Sequence, residues 1–145
     1  MDLKSKIILI SGPTASGKSK AALKIAKKLN GEIINADSMQ VYKELKILTA
    51  RPSKTDLNKI DHHLYGFRSV KKEFSSGEWL KLAKKNIKKI RDKNKIPVLV
   101  GGTGLYFKAL TDGLVKIPKI PISVRDKIRR MQNKLGQKKF YLKLL

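Results

Sequence analysis

Cysteine is absent from this 145-residue chain, which excludes disulfides and thiolate metal sites and is compatible with a reducing compartment. No long apolar run occurs, so no transmembrane helix and no membrane partner are expected. The first residues, Met1 to Ser5, have no apolar h-region and no small-residue cleavage site. The expectation is a cytoplasmic protein without a secretory signal. Acidic residues are scarce: 34 Lys and Arg face 11 Asp and Glu, for a formal net charge of +23. A field of that size favours polyanions, nucleic acid first. Only six of the basic residues are Arg, so Lys dominates. A Lys bias also follows from an AT-rich gene, and Lys-rich helix faces are commonly just solvated. There is no internal repeat or low-complexity tract, and the length gives one domain as the prior.

Against these absences stands one dense motif, Gly12-Pro13-Thr14-Ala15-Ser16-Gly17-Lys18-Ser19. It fits the P-loop pattern G-x-x-x-x-G-K-[ST], and each fixed position has a physical reason. The glycines let the backbone curl so that successive N–H groups point at one anion. Lys18 brings a point charge to the terminal phosphates, and the Ser19 hydroxyl can ligate Mg²⁺. The flanks agree: Lys6 to Ser11 reads as a buried strand and Ala21 to Leu29 as a helix, so the loop feeds a helix N-terminus. A diphosphate or triphosphate, ATP among them, is the expected ligand. The motif does not name the reaction, because kinases, nucleotidases, motors and some transferases share it.

The rest of the chain repeats the alternation. Glu32 to Ala36 reads as a second strand after the Asn30-Gly31 helix stop. Ser38 to Leu45 reads as one or two helical turns, 48–53 as a loop, and His63 to Phe67 as a third strand. Ser75 to Glu78 is a capping box opening a helix to about Lys93, with Trp79, Leu82, Ala83, Ile87 and Ile90 on its core face. Pro97 to Val100 is an apolar strand, and Leu105 to Leu110 starts another helix. The expected fold is α/β: a doubly wound parallel sheet of the P-loop NTPase-like kind, incomplete at four strands, with its site at the strand C-terminal ends. This core is expected over residues 1–115. Over 116–145 a Pro-containing linker, 117–122, leads to a basic helix, Val124 to Leu135, capped by Ser123 and broken by Gly136. The segment from Lys138 to Leu145 is a further helical start with an amphipathic end. It either docks on the sheet or marks the chain as the N-terminal part of a longer protein.

Asp37 follows the second strand, where a carboxylate faces the P-loop crevice. It can ligate Mg²⁺, take a proton from a nucleophile, or merely cap the Ser38 turn. The strand Val98 to Val100 ends in Gly101-Gly102-Thr103-Gly104 rather than in the acid that an ordinary NTPase needs for its metal, which argues against routine ATP hydrolysis. The glycines there allow close approach to the backbone, and Thr103 offers a hydroxyl. His62 and His63 point to opposite faces of a strand and read as structural rather than as a ligand pair.

Together, Gly12 to Ser19, Asn35-Ala-Asp-Ser-Met-Gln-Val-Tyr42, Thr49-Ala-Arg-Pro52, His63-Leu, Phe74-Ser and Val100-Gly-Gly-Thr-Gly-Leu-Tyr106 resemble the tRNA dimethylallyltransferase (tRNA isopentenyltransferase, IPP transferase) family, in order and spacing from Ile7 to about Arg130. The resemblance implies Mg²⁺-dependent transfer of a dimethylallyl group from dimethylallyl diphosphate to the exocyclic amine of the adenine on the 3′ side of the tRNA anticodon. The P-loop, Gly12 to Ser19, would then hold a prenyl diphosphate, with Ser19 at the metal. Asp37, Thr103 and Lys18 would be catalytic. Asp37 would be the general base, Thr103 the hydrogen-bond partner of the bridging oxygen, and Lys18 a stabiliser of the leaving diphosphate. Asp37, Ser38, Met39, Gln40, Thr103 and Arg125 would contact tRNA, with the adenine flipped out of its loop. The resemblance also implies that 116–145 begins a helical tRNA-binding insertion domain in a monomer. Family members are commonly about twice as long, and their later half completes the sheet and supplies an Arg for the diphosphate. Three alternatives stay open at this point: a small-molecule P-loop kinase, an adenylate isopentenyltransferase using free AMP, and a truncated remnant that holds RNA by charge alone.

Overall fold

The computed structural model describes residues 6–115 and 120–144. Met1 to Ser5, residues 116–119, which include half of the expected linker, and Leu145 lie outside the described residues. The chain divides into two units, Met1–Leu114 and Val115–Leu145. In the first unit, β1 (Ile8–Ser11), α1 (Lys18–Lys28), β2 (Gly31–Asn35), α2 (Lys54–Lys59), β3 (His62–His63), α3 (Ser76–Asp92), β4 (Ile96–Gly101) and α4 (Gly104–Thr111) follow one another. The second unit holds α5 (Ile122–Leu142).

The four strands pair in parallel in the order β1-β4-β2-β3, with Leu9 opposite Leu99 and Ile34 opposite Leu99 on the other side. Covered on both faces, β2 and β4 are buried at every residue. That is why β4 reads as an unbroken apolar run rather than an alternating one, whereas β2 buries Glu32 and Asn35 beside its two isoleucines. On one face Ala22 and Ala26 of α1 pack on Ile33, Val98 and Val100. On the other, Trp79, Ala83, Ile87 and Ile90 of α3 and Tyr106 of α4 pack on Ile34, Ala36 and Leu99. Helices on both faces make the sheet doubly wound. Trp79 is wholly buried, stacks on Tyr106 at 4.2 Å, and donates its indole N–H to the Asn35 carbonyl at 2.8 Å. Burial of this side chain contributes about 3 kcal/mol.

The local signals act as their chemistry requires. Asn30 takes a left-handed φ of 51° just past α1, and the Ser75–Glu78 box is closed in both directions. Three expectations need correction. Ser38 to Leu45 is not helical, because most of its backbone bonds leave the segment: Gln40 and Val41 carbonyls accept from Gly66 and Arg68, and Lys43 donates to Arg68. The third strand is His62–His63, not 63–67; Leu64 turns out of it at φ 63°, and Arg68 pairs with Tyr42 instead. The 48–53 loop is as expected, and its last residue, Ser53, caps α2 through a capping box with Asp56 that sequence reading does not assign. Finally, Ser123 does not cap α5. That helix starts at Ile122, with Pro121 as its cap, and Ser123 falls within the first turn. Gly136 breaks α5 as expected, at φ 71° and ψ 164°. Among the described residues no helix is long and apolar enough to cross a membrane.

At the N-terminal end of β2 lies a buried carboxylate. Glu32 is inaccessible to solvent and bonds to Lys95 Nζ (2.8 Å), His63 Nε2 (2.7 Å) and Lys93 Nζ (3.0 Å). Burial pushes its carboxyl upward, but the bonds from Lys95, His63 and Lys93 together outweigh burial and bring it from 4.5 down to about 2. A depressed carboxylate stabilises the fold above its unfolded value and loses that contribution as pH falls toward the folded one. Urea titrations should therefore show a loss on the order of 3 kcal/mol between about pH 5 and pH 2 that Glu32→Gln lacks.

Candidate functional site

The strand order brings three chain segments together. The P-loop leaves β1, Gly101-Gly102-Thr103 leaves β4 and Asp37 follows β2, and these are three neighbouring strands in one sheet. Ligands in such sheets sit beyond the strand C-terminal ends.

In the P-loop, Ser16 donates to the Pro13 carbonyl, while Ala15 (φ 62°) and Gly17 (φ 79°) both adopt left-handed backbone. This alternation turns successive N–H groups inward, and α1 then opens at Lys18 with no side-chain cap and no acid in its first turn. The uncapped N–H groups and the helix dipole both favour an anion. Lys18 arches back over the loop, its Nζ 2.9 Å from the Pro13 carbonyl.

Asp37 faces this loop across a cavity of about 420 Å³, lined by Ala15, Gly17, Lys18, Ser19, Asp37 and Gln40 among others. Its Oδ1 accepts from the N–H groups of Met39 (2.9 Å) and Gln40 (3.4 Å), so it does cap the turn that follows. Among the described residues Oδ2 makes no hydrogen bond, which leaves one carboxylate oxygen for the crevice. A second cavity of about 400 Å³ shares Thr14, Asp37, Thr49 and Ala50 with the first and continues onto Met39, Leu45 and Leu48. Asp37 thus stands where the space over the P-loop meets a more apolar one.

Thr103 lies on the Ala36–Ser38 segment: its N–H donates to the Ala36 carbonyl, and its Oγ1 accepts from Ser38 N–H at 2.9 Å and reaches Ser38 Oγ at 3.2 Å. Gly102 sits between the segments, since a Cβ there would be 3.4 Å from the Gly12 carbonyl and 3.9 Å from Asp37 Oδ2. Gln40 is anchored by its amide to the Thr49 carbonyl at 2.7 Å, and Met39 is exposed. The Tyr106 hydroxyl is pushed up to about 12 by burial, with Tyr42 and the Asp37 charge adding to the effect. The structure therefore gathers Gly12 to Ser19, Asp37 to Gln40 and Thr103 in one region of the first unit. Arg125 belongs to the second unit, exposed in the first turn of α5. The two histidines stand apart in their bonding: His63 binds Glu32, and His62 binds the Ile60 carbonyl and meets Tyr65 edge to face. Sequence reading passed over Asn35, whose signal was a polar residue ending a strand directly after Ile33-Ile34.

The chain is similar to known proteins in both sequence and fold. The IPP transferase family profile matches residues 40–145. The chain is 67% identical over its whole length to a tRNA dimethylallyltransferase of Pelagibacter ubique, covering 46% of that protein. It is 52% identical over 124 residues to one of Parvibaculum lavamentivorans, covering 40% of it. Among solved structures, a tRNA isopentenylpyrophosphate transferase of Bacillus halodurans superposes with a TM-score of 0.75 at 36% identity, over 90% of this chain and 44% of that one. A eukaryotic dimethylallyltransferase acting on tRNA gives 0.76 at 32% identity, over 89% and 34%. The chain thus spans less than half the length of these relatives, and its fold is the P-loop NTPase-like sheet they share. The chain belongs to the IPP transferase family.

Proposed function

We propose that this chain carries the diphosphate-gripping and proton-accepting part of a tRNA dimethylallyltransferase. The observation that supports this most is the shared cavity: anion cradle on one wall, Asp37 on the other, and Gly-Gly-Thr where an NTPase would place a metal-binding acid. In this reading the exocyclic amine of a tRNA adenine attacks C1 of dimethylallyl diphosphate. The C–O bond to the diphosphate breaks, a C–N bond forms, and the amine proton passes to Asp37. The P-loop N–H groups and Lys18 stabilise charge on the departing diphosphate. Thr103, already bonded to Ser38, would fix the bridging oxygen, and Ser38 to Gln40 would meet the tRNA. Arg125 would add a tRNA contact, and 116–145 would begin a helical insertion domain.

Mg²⁺ fits the donor set. The Ser19 hydroxyl offers a hard oxygen on this cavity, and the described residues contain no cluster of three or more His, Cys, Asp or Glu. Magnesium typically keeps waters and takes one or two protein oxygens plus substrate phosphates. It would supply charge neutralisation of the diphosphate.

Calorimetry with dimethylallyl diphosphate and with ATP, each with Mg²⁺, tests the reading. Tighter binding of the prenyl donor supports it; ATP preference with phosphoryl transfer makes the chain a kinase. Transfer to AMP but not tRNA would place it with the adenylate enzymes. RNA binding that falls steeply with salt, with no donor binding, would leave only the charge. Lys18→Met should weaken pyrophosphate binding by about 10- to 100-fold, the worth of one charge-assisted contact, with the melting temperature unchanged.

A further inference from the structure

Asn35 ends β2 as a fully buried polar residue in a strand whose neighbours are aliphatic. Its side chain makes three hydrogen bonds. Nδ2 donates to the carbonyls of Asp37 (2.9 Å) and Leu64 (3.0 Å), and Oδ1 accepts the Asp37 N–H (2.9 Å). Its own carbonyl takes the Trp79 indole. A buried amide is costly unless bonded, and an aliphatic residue is the simpler filling for a strand interior. The bonding pattern shows what the amide supplies. The sheet ladder ends one residue earlier: Ala36 still donates to Val100 and accepts from Thr103, but Asp37 has no strand partner. Asn35 takes that place and holds both backbone groups of Asp37 with one side chain. Through Leu64 and Trp79 it ties the same point to the end of β3 and to α3. It lines neither cavity that Asp37 lines.

We propose that Asn35 is a positioning residue: it replaces the missing ladder partner of Asp37 and so aims the carboxylate at the P-loop cavity. The role rests on the reading of Asp37 as the base. Asn35 touches no reacting atom and acts only through Asp37.

The full chain tests this as wild type, Asn35→Ala, Asp37→Ala and the double variant, with Mg²⁺-pyrophosphate binding as the check that each is folded. Amide exchange by NMR needs no turnover. Asn35→Ala should speed exchange of the Asp37 N–H at least about tenfold relative to β4 amides, because its acceptor is gone. An unchanged ratio overturns the proposal. In dimethylallyl transfer to tRNA, Asn35→Ala should lower kcat about 30-fold with KM for the donor within about threefold, and the double variant should be no slower than Asp37→Ala alone. A kcat near wild type for Asn35→Ala beside a slow Asp37→Ala rejects Asn35 alone, as does a double variant slowed by the product of the singles. Wild-type rate in Asp37→Ala rejects the base itself, and the positioning role with it. Asn35→Leu, close to the amide in shape but without its hydrogen-bonding groups, serves if the alanine variant does not fold.

Discussion

Replacing Asp37 by alanine is expected to slow dimethylallyl transfer by about 10²- to 10⁴-fold, the range for removing a positioned acid–base group, while leaving pyrophosphate binding within about twofold. The two effects separate because the groups come from different strands. The cradle is built from β1 and the first turn of α1, and it needs nothing from β2 to present its N–H groups. Asp37 stands across the cavity and contributes no positive charge to the diphosphate. Asp37→Asn is the sharper version, since an amide oxygen can still accept the Met39 and Gln40 N–H groups that hold the turn. A fall in kcat for Asp37→Asn as large as for alanine, with KM for the donor unchanged, assigns the loss to proton acceptance. Retained activity in Asp37→Asn would instead reduce the residue to a turn cap.

The parts of this site written in local chemistry were legible in the sequence. The P-loop specifies its own backbone, and its flanking strand and helix follow from apolar run and periodicity. The Ser75–Glu78 box announces α3, and Asp37 sits just after a readable strand. The parts that depend on partners distant in sequence were not legible. Ser38 to Leu45 has an ordinary helical look, yet its bonds go to Gly66 and Arg68, more than twenty residues away. The third strand fails for the same reason, trading β2 for the Tyr42 segment after Leu64. The order β1-β4-β2-β3, which makes neighbours of residues 12, 37 and 102, has no local signal at all. Nor does the bond between Thr103 and Ser38, 65 residues apart, which engages the hydroxyl expected at the bridging oxygen. The capping box of α2 is different, a local signal that was present in Ser53 to Asp56 and passed over.

Gly101→Ala tests that long-range arrangement most severely. Ala36 donates its N–H to Val100 and accepts from the N–H of Thr103, so the ends of β2 and β4 are clamped on both sides of Gly101. A Cβ on Gly101 would overlap the Ala36 carbonyl carbon and oxygen and stand 2.7 Å from the Asp37 nitrogen. All three are backbone atoms at the hydrogen-bonded end of the sheet, so no side chain can swing away to relieve the contact. The sheet must open by displacing Ala36, and that displacement moves Asp37 and Thr103 with it. The expected cost is at least about 3 kcal/mol, at the upper end for overpacking, or roughly 10 °C in Tm for a chain of this size. Gly102→Ala is the matched control, because its Cβ would meet the Gly12 carbonyl at 3.4 Å, an ordinary contact. Thermal melts of the two variants decide the matter. A Gly101→Ala melt within about 2 °C of wild type would mean that the ends of β2 and β4 do not approach as described. The shared cavity of P-loop and Asp37 would lose its footing with them.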